Sequence, residues 1–302
     1  MLAKLIILVG LPGSGKSTYA KSIMDPEGQL QYCSSDKVRE ELYGDENIQG
    51  DPNKVFRVLH NKVKNLLDRG YDVIYDATNV TRKNRRSIIQ EVKKYCDEIE
   101  AHIIWAPVGQ CISRDRDRKR SVGEDVIRKF LYRWQSPFYD EGFTKIKVVH
   151  NTNINFDPIN FRNMMIENMK IPHDNPHHTL GVWEHCQVTS AYVNDKFTDI
   201  AVREAAPIHD VGKPWVKGFE SDENGKMLPI AHYYQHHSVG GYLVYGMYDL
   251  VAEKPAESIA IVVSWLVSNH MEPFFDSKYY RTLQPELKKL IDELHEADVA
   301  AH

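Results

Sequence analysis

Two groups of residues in this 302-residue chain could do chemistry. The first is Gly10-Leu-Pro-Gly-Ser-Gly-Lys16-Ser17-Thr18, a G-x-x-x-x-G-K-[ST] segment. Gly10, Gly13 and Gly15 let the backbone curl, so that the amides around Ser14 and Thr18 converge on phosphate oxygens at a helix N-terminus. Lys16 reaches the β- and γ-phosphates, and the Ser17 hydroxyl ligates Mg²⁺. This is nucleoside triphosphate chemistry, with ATP and Mg²⁺ as the expected pair. The second group is His209-Asp210 followed by Val-Gly-Lys213. An adjacent imidazole and carboxylate can hold one metal only if a helix turns both inward and other ligands come from elsewhere. His185 and Asp298 are the candidates. Such a set suits Mn²⁺, Co²⁺, Ni²⁺, Fe²⁺ or Mg²⁺ with positions left for water. Water on such an ion is acidified into a nucleophile near neutral pH.

Three further segments bear on the triphosphate. Asp36, in Ser34-Ser-Asp36-Lys-Val-Arg39, follows a short apolar segment, where a carboxylate can accept a proton from an incoming hydroxyl. Arg39, one helical turn on, can hold a neighbouring phosphate. Equally, Asp36 can be a helix N-cap and Arg39 a surface charge. Asp76, in Tyr75-Asp76-Ala-Thr78-Asn79, suits either a metal ligand or an acceptor-site residue, while Thr78 or Asn79 can simply cap the next helix. In the run Arg114-Asp-Arg116-Asp-Arg118-Lys-Arg120, Arg116 and Arg120 share a face if the run is helical. That pair could close over the phosphates, leaving Arg114 and Arg118 solvated.

These residues need a scaffold, and the first half supplies strand–helix alternation. Strands are expected at Leu5–Val9, Leu30–Ser34, Tyr71–Asp76, Glu100–Ala106 and Lys145–His150. Helices are expected after the glycine loop, at Asp36–Leu42, Val55–Leu67 and Arg82–Tyr95. That order implies a parallel sheet covered by helices, with ligands at the carboxyl ends of its strands. From Phe161 onward the pattern is helical with almost no strand signal. The polar, turn-rich Asn151–Pro158 reads as a linker, giving domains 1–155 and 156–302.

Charge divides at the same place. Residues 1–155 carry 26 Lys/Arg against 21 Asp/Glu, and residues 156–302 carry 12 against 21, so a net −4 is the sum of +5 and −9. Three histidines lie in the first half and eleven in the second. At 42% apolar and 26% charged residues the composition is that of a globular protein, not a disordered or fibrous one. No apolar run approaches a membrane span. The start of the chain mimics a short signal peptide, but a phosphate loop stands where cleavage would occur. Four scattered cysteines without a C-x-x-C pair suggest a reduced, cytoplasmic setting.

Together G-L-P-G-S-G-K-S-T, D-K-V-R, D-A-T-N and R-D-R-K-R resemble, in order and spacing, the P-loop 5′-hydroxyl polynucleotide kinases over about 150 residues. The resemblance implies Lys16 and Ser17 on phosphates and Mg²⁺, Asp36 as general base for a 5′-OH, and Arg39 on the acceptor's 3′-phosphate. It implies Asp76, Thr78 and Asn79 lining the acceptor pocket, with Arg116 and Arg120 as lid arginines. Where family lids often carry prolines after the second arginine, this chain has Ser121-Val-Gly123. Zeta-toxin-like, tRNA and small-metabolite kinases share much of the pattern.

The second half resembles the HD-domain metal-dependent phosphohydrolases, an all-α family. The likeness runs through His178-Thr-Leu-Gly-Val-Trp-Glu-His185, His209-Asp210-Val-Gly-Lys213-Pro, His236-His-Ser-Val-Gly240, Leu266-Val-Ser-Asn-His270 and Ala297-Asp298. It implies His185, His209, Asp210 and Asp298 as the principal metal site and Lys213 on the substrate phosphate. His236 and His270 would hold a second metal or the leaving group's phosphate. His177, His178, His232 and His237 are near-duplicates, and His232 or His237 could exchange roles with His236. His173, His295 and His302 default to solvated surface.

The two resemblances point to nucleic-acid end healing. ATP would phosphorylate 5′-OH ends, and a metal site would remove 2′,3′-cyclic, 2′- or 3′-phosphates, on RNA or DNA, ahead of a ligase. A small-molecule or nucleoside kinase fused to an HD nucleotidase or phosphodiesterase is the second reading. A nucleotide sensor gating a hydrolase is the third. Oligomeric state is not legible.

Overall fold

The computed structural model describes residues 3–118, 121–153, 155–176, 179–249 and 254–302. Two compact units emerge, Met1–Phe130 with Pro137–Ile154, and Leu131–Ser136 with Asn155–His302. The division is not strictly sequential. Trp134, fully buried, packs edge-on against Tyr242, and Ser136 Oγ bonds the hydroxyls of Ser264 and Ser268, so six residues of the earlier sequence belong to the later unit.

The first unit is a five-stranded parallel sheet in the order β2-β3-β1-β4-β5. Its elements run β1 (Ala3–Val9), α1 (Lys16–Ser22), β2 (Leu30–Ser34), α2 (Ser35–Tyr43), α3 (Pro52–Asp68), β3 (Asp72–Asp76), α4 (Arg82–Val92), β4 (Cys96–Trp105), α5 (Val108–Arg116), α6 (Glu124–Leu131) and β5 (Lys145–His150). β1 is central, paired with β3 and β4 along its two edges, and Leu5 to Val9 are all buried, so side chains on both faces of the strand are covered. This is why the segment is continuously apolar rather than alternating. On α3 the fully buried Val55, Leu59 and Val63 recur every fourth residue, one stripe of an amphipathic helix.

One buried ion pair braces this unit. Arg85 on α4 grips Glu141 through Nε and Nη2 at 2.8 and 2.6 Å and donates Nη1 to the Asn79 carbonyl at 2.9 Å. Both charged side chains are fully buried. Arg85→Met would leave the Glu141 carboxylate uncompensated, and a loss of about 3–5 kcal/mol is expected in denaturant unfolding of this unit. Adding Glu141→Leu should restore most of it.

The second unit contains α7 (Pro158–Asn168), α8 (Val182–Lys196), α9 (Ile200–Ala205), α10 (Lys213–Val216), β6 (Gly218–Ser221), β7 (Met227–His232), α11 (His236–Val244), α12 (Lys254–Asn269), α13 (Glu272–Phe275), α14 (Lys278–Arg281) and α15 (Pro285–Ala300). It is not purely helical as expected, because β6 and β7 form an antiparallel hairpin. The hairpin is short and largely solvent-facing, so burial left little alternation to read. Its turn is set instead by Asp222, whose carboxylate accepts from the amides of Asn224 and Lys226, and by Gly225 at φ +79°. Among the described residues no helix is long and apolar enough to cross a membrane.

Candidate functional site

The glycine loop joins β1 to α1. Gly13 and Gly15 sit at φ +82° and +91°, and a Cβ on Gly13 would fall 2.1 Å from the Cys111 carbonyl oxygen. The loop is buttressed from the far end of the sheet. Asn151 donates Nδ2 to the Ser14 carbonyl at 2.7 Å and accepts Arg114 Nη1 on its own carbonyl at 2.9 Å. No pattern marked Asn151 for this task. Lys16 folds back over the loop, donating Nζ to the carbonyls of Gly10 and Leu11 at 2.9 and 3.0 Å. Burial lowers its pKa against the opposing pull of Asp76, and the charge of Arg118 lowers it further.

Sheet register decides what faces this loop. Asp76 at the end of β3 stands opposite Leu8 of β1 and Ser34 of β2, so one sheet edge presents the glycine loop, Asp76 and the start of α2. Asp76 Oδ2 accepts from the Ser17 hydroxyl at 2.8 Å and from Tyr32 OH at 2.7 Å. A carboxylate bonded to the loop serine is positioned where it could share a Mg²⁺ ion held by that serine. Tyr32, which carried no motif signal, is a second partner of that carboxylate.

The helix-cap alternatives are set aside. Ser34 caps α2 by accepting from the Lys37 amide, leaving the Asp36 side chain half exposed and 2.6 Å from Arg39 Nη1. Thr81, rather than Thr78 or Asn79, caps α4. Asn79 is buried, with Nδ2 on the Leu8 carbonyl at 2.8 Å and 1% exposure. Thr78 is half-buried beside it.

In the second unit six side chains from five segments converge. Asp298 Oδ1 lies 2.8 Å from His185 Nε2 and 3.4 Å from His209 Nε2. Asp210 turns Oδ2 to His209 Nε2 at 3.4 Å and Oδ1 to His236 Nε2 at 3.3 Å, with His270 Nε2 3.9 Å away. The donor atoms of His185, His209 and Asp298 lie within 4.8 Å of one another, as do those of Asp210, His236 and His270. Asp210 thus faces both groups with one oxygen each. All six residues are buried.

The rings are fixed from behind. Backbone carbonyls of Ala206, Tyr233 and Val267 take the Nδ1 atoms of His209, His236 and His270 at 2.8 to 2.9 Å, and Ala301 takes that of His185 at 3.4 Å. A ring donating from Nδ1 carries its lone pair on Nε2, so the lone pairs converge. His236 Nε2 and His270 Nε2 stand 3.1 Å apart, a repulsive arrangement unless a cation lies between them. His209 Nε2 is buried without a hydrogen-bond partner. These residues fit one or two divalent ions, and their nitrogen–oxygen set suits a borderline metal. Cys186 also approaches, but its sulfur is 3.7 Å from His209 Nδ1, behind the ring, where the Ala206 carbonyl already bonds.

Electrostatics agree with that donor set at His236 and His270, whereas neighbouring groups draw His209 toward its charged form. Burial holds His236 well below the usual imidazole range, and burial with the His209 charge brings His270 to about 4. Burial opposes ionisation of Asp210, but Lys213 and the facing histidines keep its carboxyl far below the ordinary range. At His209 burial opposes charge while Cys186 and Asp210 draw it upward. Net positive charge is what the two carboxylates demand.

Lys213 Nζ reaches Asp210 Oδ2 at 2.6 Å and His173 Nε2 at 3.0 Å. His173 is therefore no surface residue. It is 2% exposed, held through Nδ1 by the Leu180 carbonyl, and its Nε2 lone pair orients the lysine. His302 also approaches, its ring 4.9 Å from that of His185, while His295 packs on Phe274. His232 lies outside the cluster, stacked on Tyr234, and His237 lies against Phe275, so His236 alone of the three joins it. His177 and His178 lie outside the described residues.

Residues 5–137 match a family model described as an AAA domain. A curated L-seryl-tRNA(Sec) kinase of Methanococcus maripaludis is 27% identical over 193 residues, 57% of this chain and 72% of that one. Among solved structures, a chain of the Pnkp1/Rnl/Hen1 RNA repair complex is 26% identical, with TM-score 0.39 over 43% of each chain. The chain thus spans under half of that repair protein. Chaetomium thermophilum Kti12, solved with ADP-AlF3, is 18% identical with TM-score 0.40, over 51% of this chain and 90% of that one. The N-terminal unit is a kinase-like P-loop domain.

In this P-loop domain the arginines differ from expectation. α5 ends at Arg116 with Asp117 as its C-cap, and Arg120 lies outside the described residues. Arg116 is 70% exposed and paired with Glu124 at 3.0 Å. Arg114 buttresses the loop and Arg118 is felt at Lys16. Buried Asp115 accepts from the Ser121 hydroxyl and the amides of Val122 and Gly123. Burial opposes its charge, but those donors outweigh burial and hold its carboxyl below the usual range. Arg114→Ala is expected to raise KM for ATP about tenfold, the worth of one charge-assisted hydrogen bond. Arg116→Ala, losing one exposed pair, should stay within about twofold. Initial rates at varied ATP separate the two.

Proposed function

We propose that this chain heals nucleic-acid ends, phosphorylating 5′-OH termini from ATP in its P-loop domain and hydrolysing 2′,3′-cyclic, 2′- or 3′-phosphates in its second unit. The observation that carries the reading is the buried cluster of four histidines and two aspartates on the same chain as a P-loop with an acidic residue at its acceptor edge. A break leaving 5′-OH and 2′,3′-cyclic phosphate ends needs both activities before a ligase can seal it, and RNA, with its 2′-OH, is the substrate that yields such ends.

In the kinase step Lys16 and Ser17 hold the triphosphate and Asp76 positions Ser17. Asp36, oriented by Arg39, accepts the proton of the attacking hydroxyl, and Arg39 presents its guanidinium to the acceptor's phosphate. Ser17, with Asp76 beside it, would hold a Mg²⁺ ion, which would supply neutralising charge for the transferred phosphoryl group. In the hydrolytic step His185, His209, Asp210 and Asp298 would hold one divalent ion, and Asp210, His236 and His270 a second. Such ions acidify water and polarise the phosphoryl oxygen. Lys213, held by Asp210 and His173, offers its ammonium to the substrate phosphate. The residues support this HD-like chemistry by their donor set and burial; the kinase relatives support phosphoryl transfer.

The test is an RNA bearing a 5′-OH and a 2′,3′-cyclic phosphate, incubated with labelled ATP and each candidate metal, beside free nucleosides. Label at the 5′ end and loss of the cyclic phosphate are expected. Label on nucleosides alone would replace end healing with small-molecule phosphorylation.

A further inference from the structure

The histidine–aspartate cluster opens into a cavity of about 570 Å³ whose character changes from floor to rim. Asp210, Lys213 and His270 form the floor, whereas Tyr234, Phe274 and Phe275 form the rim, 71%, 52% and 59% exposed. Among the described residues Lys213 is the one lysine or arginine in the lining. A wall with a single cation cannot neutralise the successive phosphates of a gripped strand, which needs a lysine or arginine at each contact. It can take one phosphate at its floor and a flat apolar body at its rim.

Tyr234 is built for such a body. One face of its ring is stacked on His232, centroids 4.5 Å apart at 24°, and the ring stays largely exposed. His232 is itself pinned at the hairpin end, where a Cβ on Gly218 would meet its ring at 2.5 Å. Between Tyr234 and the cluster residue His236 stands Gln235 at φ +66°, a left-handed conformation uncommon outside glycine. That turn brings a stacking surface and a ligand, two residues apart, into one cavity.

We infer that Tyr234, backed by His232 and assisted by Phe274, is a platform for the nucleobase of the nucleotide whose phosphate lies on the cluster. This rests on the phosphohydrolase reading and narrows it. The site takes a single terminal nucleotide, gripped by its base and its phosphate, rather than the strand behind it.

The experiment uses the full chain loaded with Mn²⁺. Adenosine 3′-phosphate and the base-free methyl riboside 3-phosphate are titrated calorimetrically into the wild type, Tyr234→Ala and Tyr234→Trp, and hydrolysis of the corresponding 2′,3′-cyclic phosphates is followed beside them. Tyr234→Ala should weaken adenosine 3′-phosphate about tenfold or more, the scale of one lost base stack. The base-free ligand should bind all three proteins alike, and Tyr234→Trp should bind the nucleotide as the wild type does. Nucleotide binding at the P-loop would not respond to Tyr234. Equal losses for both ligands, or wild-type affinity and KM in Tyr234→Ala, would overturn the platform while leaving the hydrolase intact. Tyr234-dependent binding without hydrolysis of any ester would uphold the platform and sink the hydrolase.

Discussion

Asp210→Asn is expected to lower hydrolysis of a 2′,3′-cyclic phosphate by at least about 1,000-fold, while phosphorylation of a 5′-OH end proceeds as before. Asp210 is the one cluster residue whose two oxygens face the two donor groups, at 3.4 Å from His209 and 3.3 Å from His236. The amide keeps the shape but replaces one anionic oxygen with an NH₂ group that cannot ligate. A fall of about 4 kcal/mol in transition-state stabilisation, typical when metal assistance is lost, gives the stated factor. The amide is preferable to alanine because its oxygen can still accept from the buried Lys213 ammonium, which lies 2.6 Å from Asp210 Oδ2. Bound metal, read by elemental analysis of the folded variant, should fall with activity. Retention of both metal and hydrolysis would remove the cluster from the mechanism.

Asp36→Asn is the matching change in the P-loop domain. A loss of about 100- to 10,000-fold in kcat is expected, the usual contribution of a positioned general base. KM for ATP should hold, because Asp36 stands on α2 and the phosphate-binding loop does not include it. The amide oxygen can still accept from Arg39, so the Arg39 guanidinium remains placed and the loss reads on proton transfer alone. Hydrolysis of the cyclic phosphate should be untouched. Wild-type kcat in this variant would assign the base elsewhere, and joint loss of both activities from folded protein would contradict two independent sites.

The sheet was legible because its physics is local. β2 and β5 keep their expected bounds although they are the sheet's edge strands and only partly buried, because Val148 in β5 and Cys33 in β2 still turn one face inward over a short stretch. The β6–β7 hairpin was not legible, being short and exposed enough that no burial pattern was imposed on it. The arginine run misled for a different reason. Its charges suit a continued helix, but the Asp115 carboxylate, turned to the amides of Val122 and Gly123, makes stopping at Arg116 more favourable. Local propensity does not register a hydrogen bond that forms only once the following turn has folded back.

Sequence alone determined the glycine loop with Lys16 and Ser17, the spacing of Asp36 and Arg39 one helical turn apart, and the division of charge and histidine between the halves. Each is set by residues within a few positions of one another, or by composition. Tertiary structure alone decided the rest. It put Asp76 on Ser17 through strand register, turned Asn79 inward, and brought Asn151 to the loop from 137 residues away. It also kept His232 and His237 out of the cluster that His236 joins, the residue that the spacing to Gly240 favours, and moved His173 from the surface to Lys213. Those outcomes depend on which lone pair a backbone carbonyl directs into a shared cavity, and a carbonyl's direction exists only after the helices that carry it have packed.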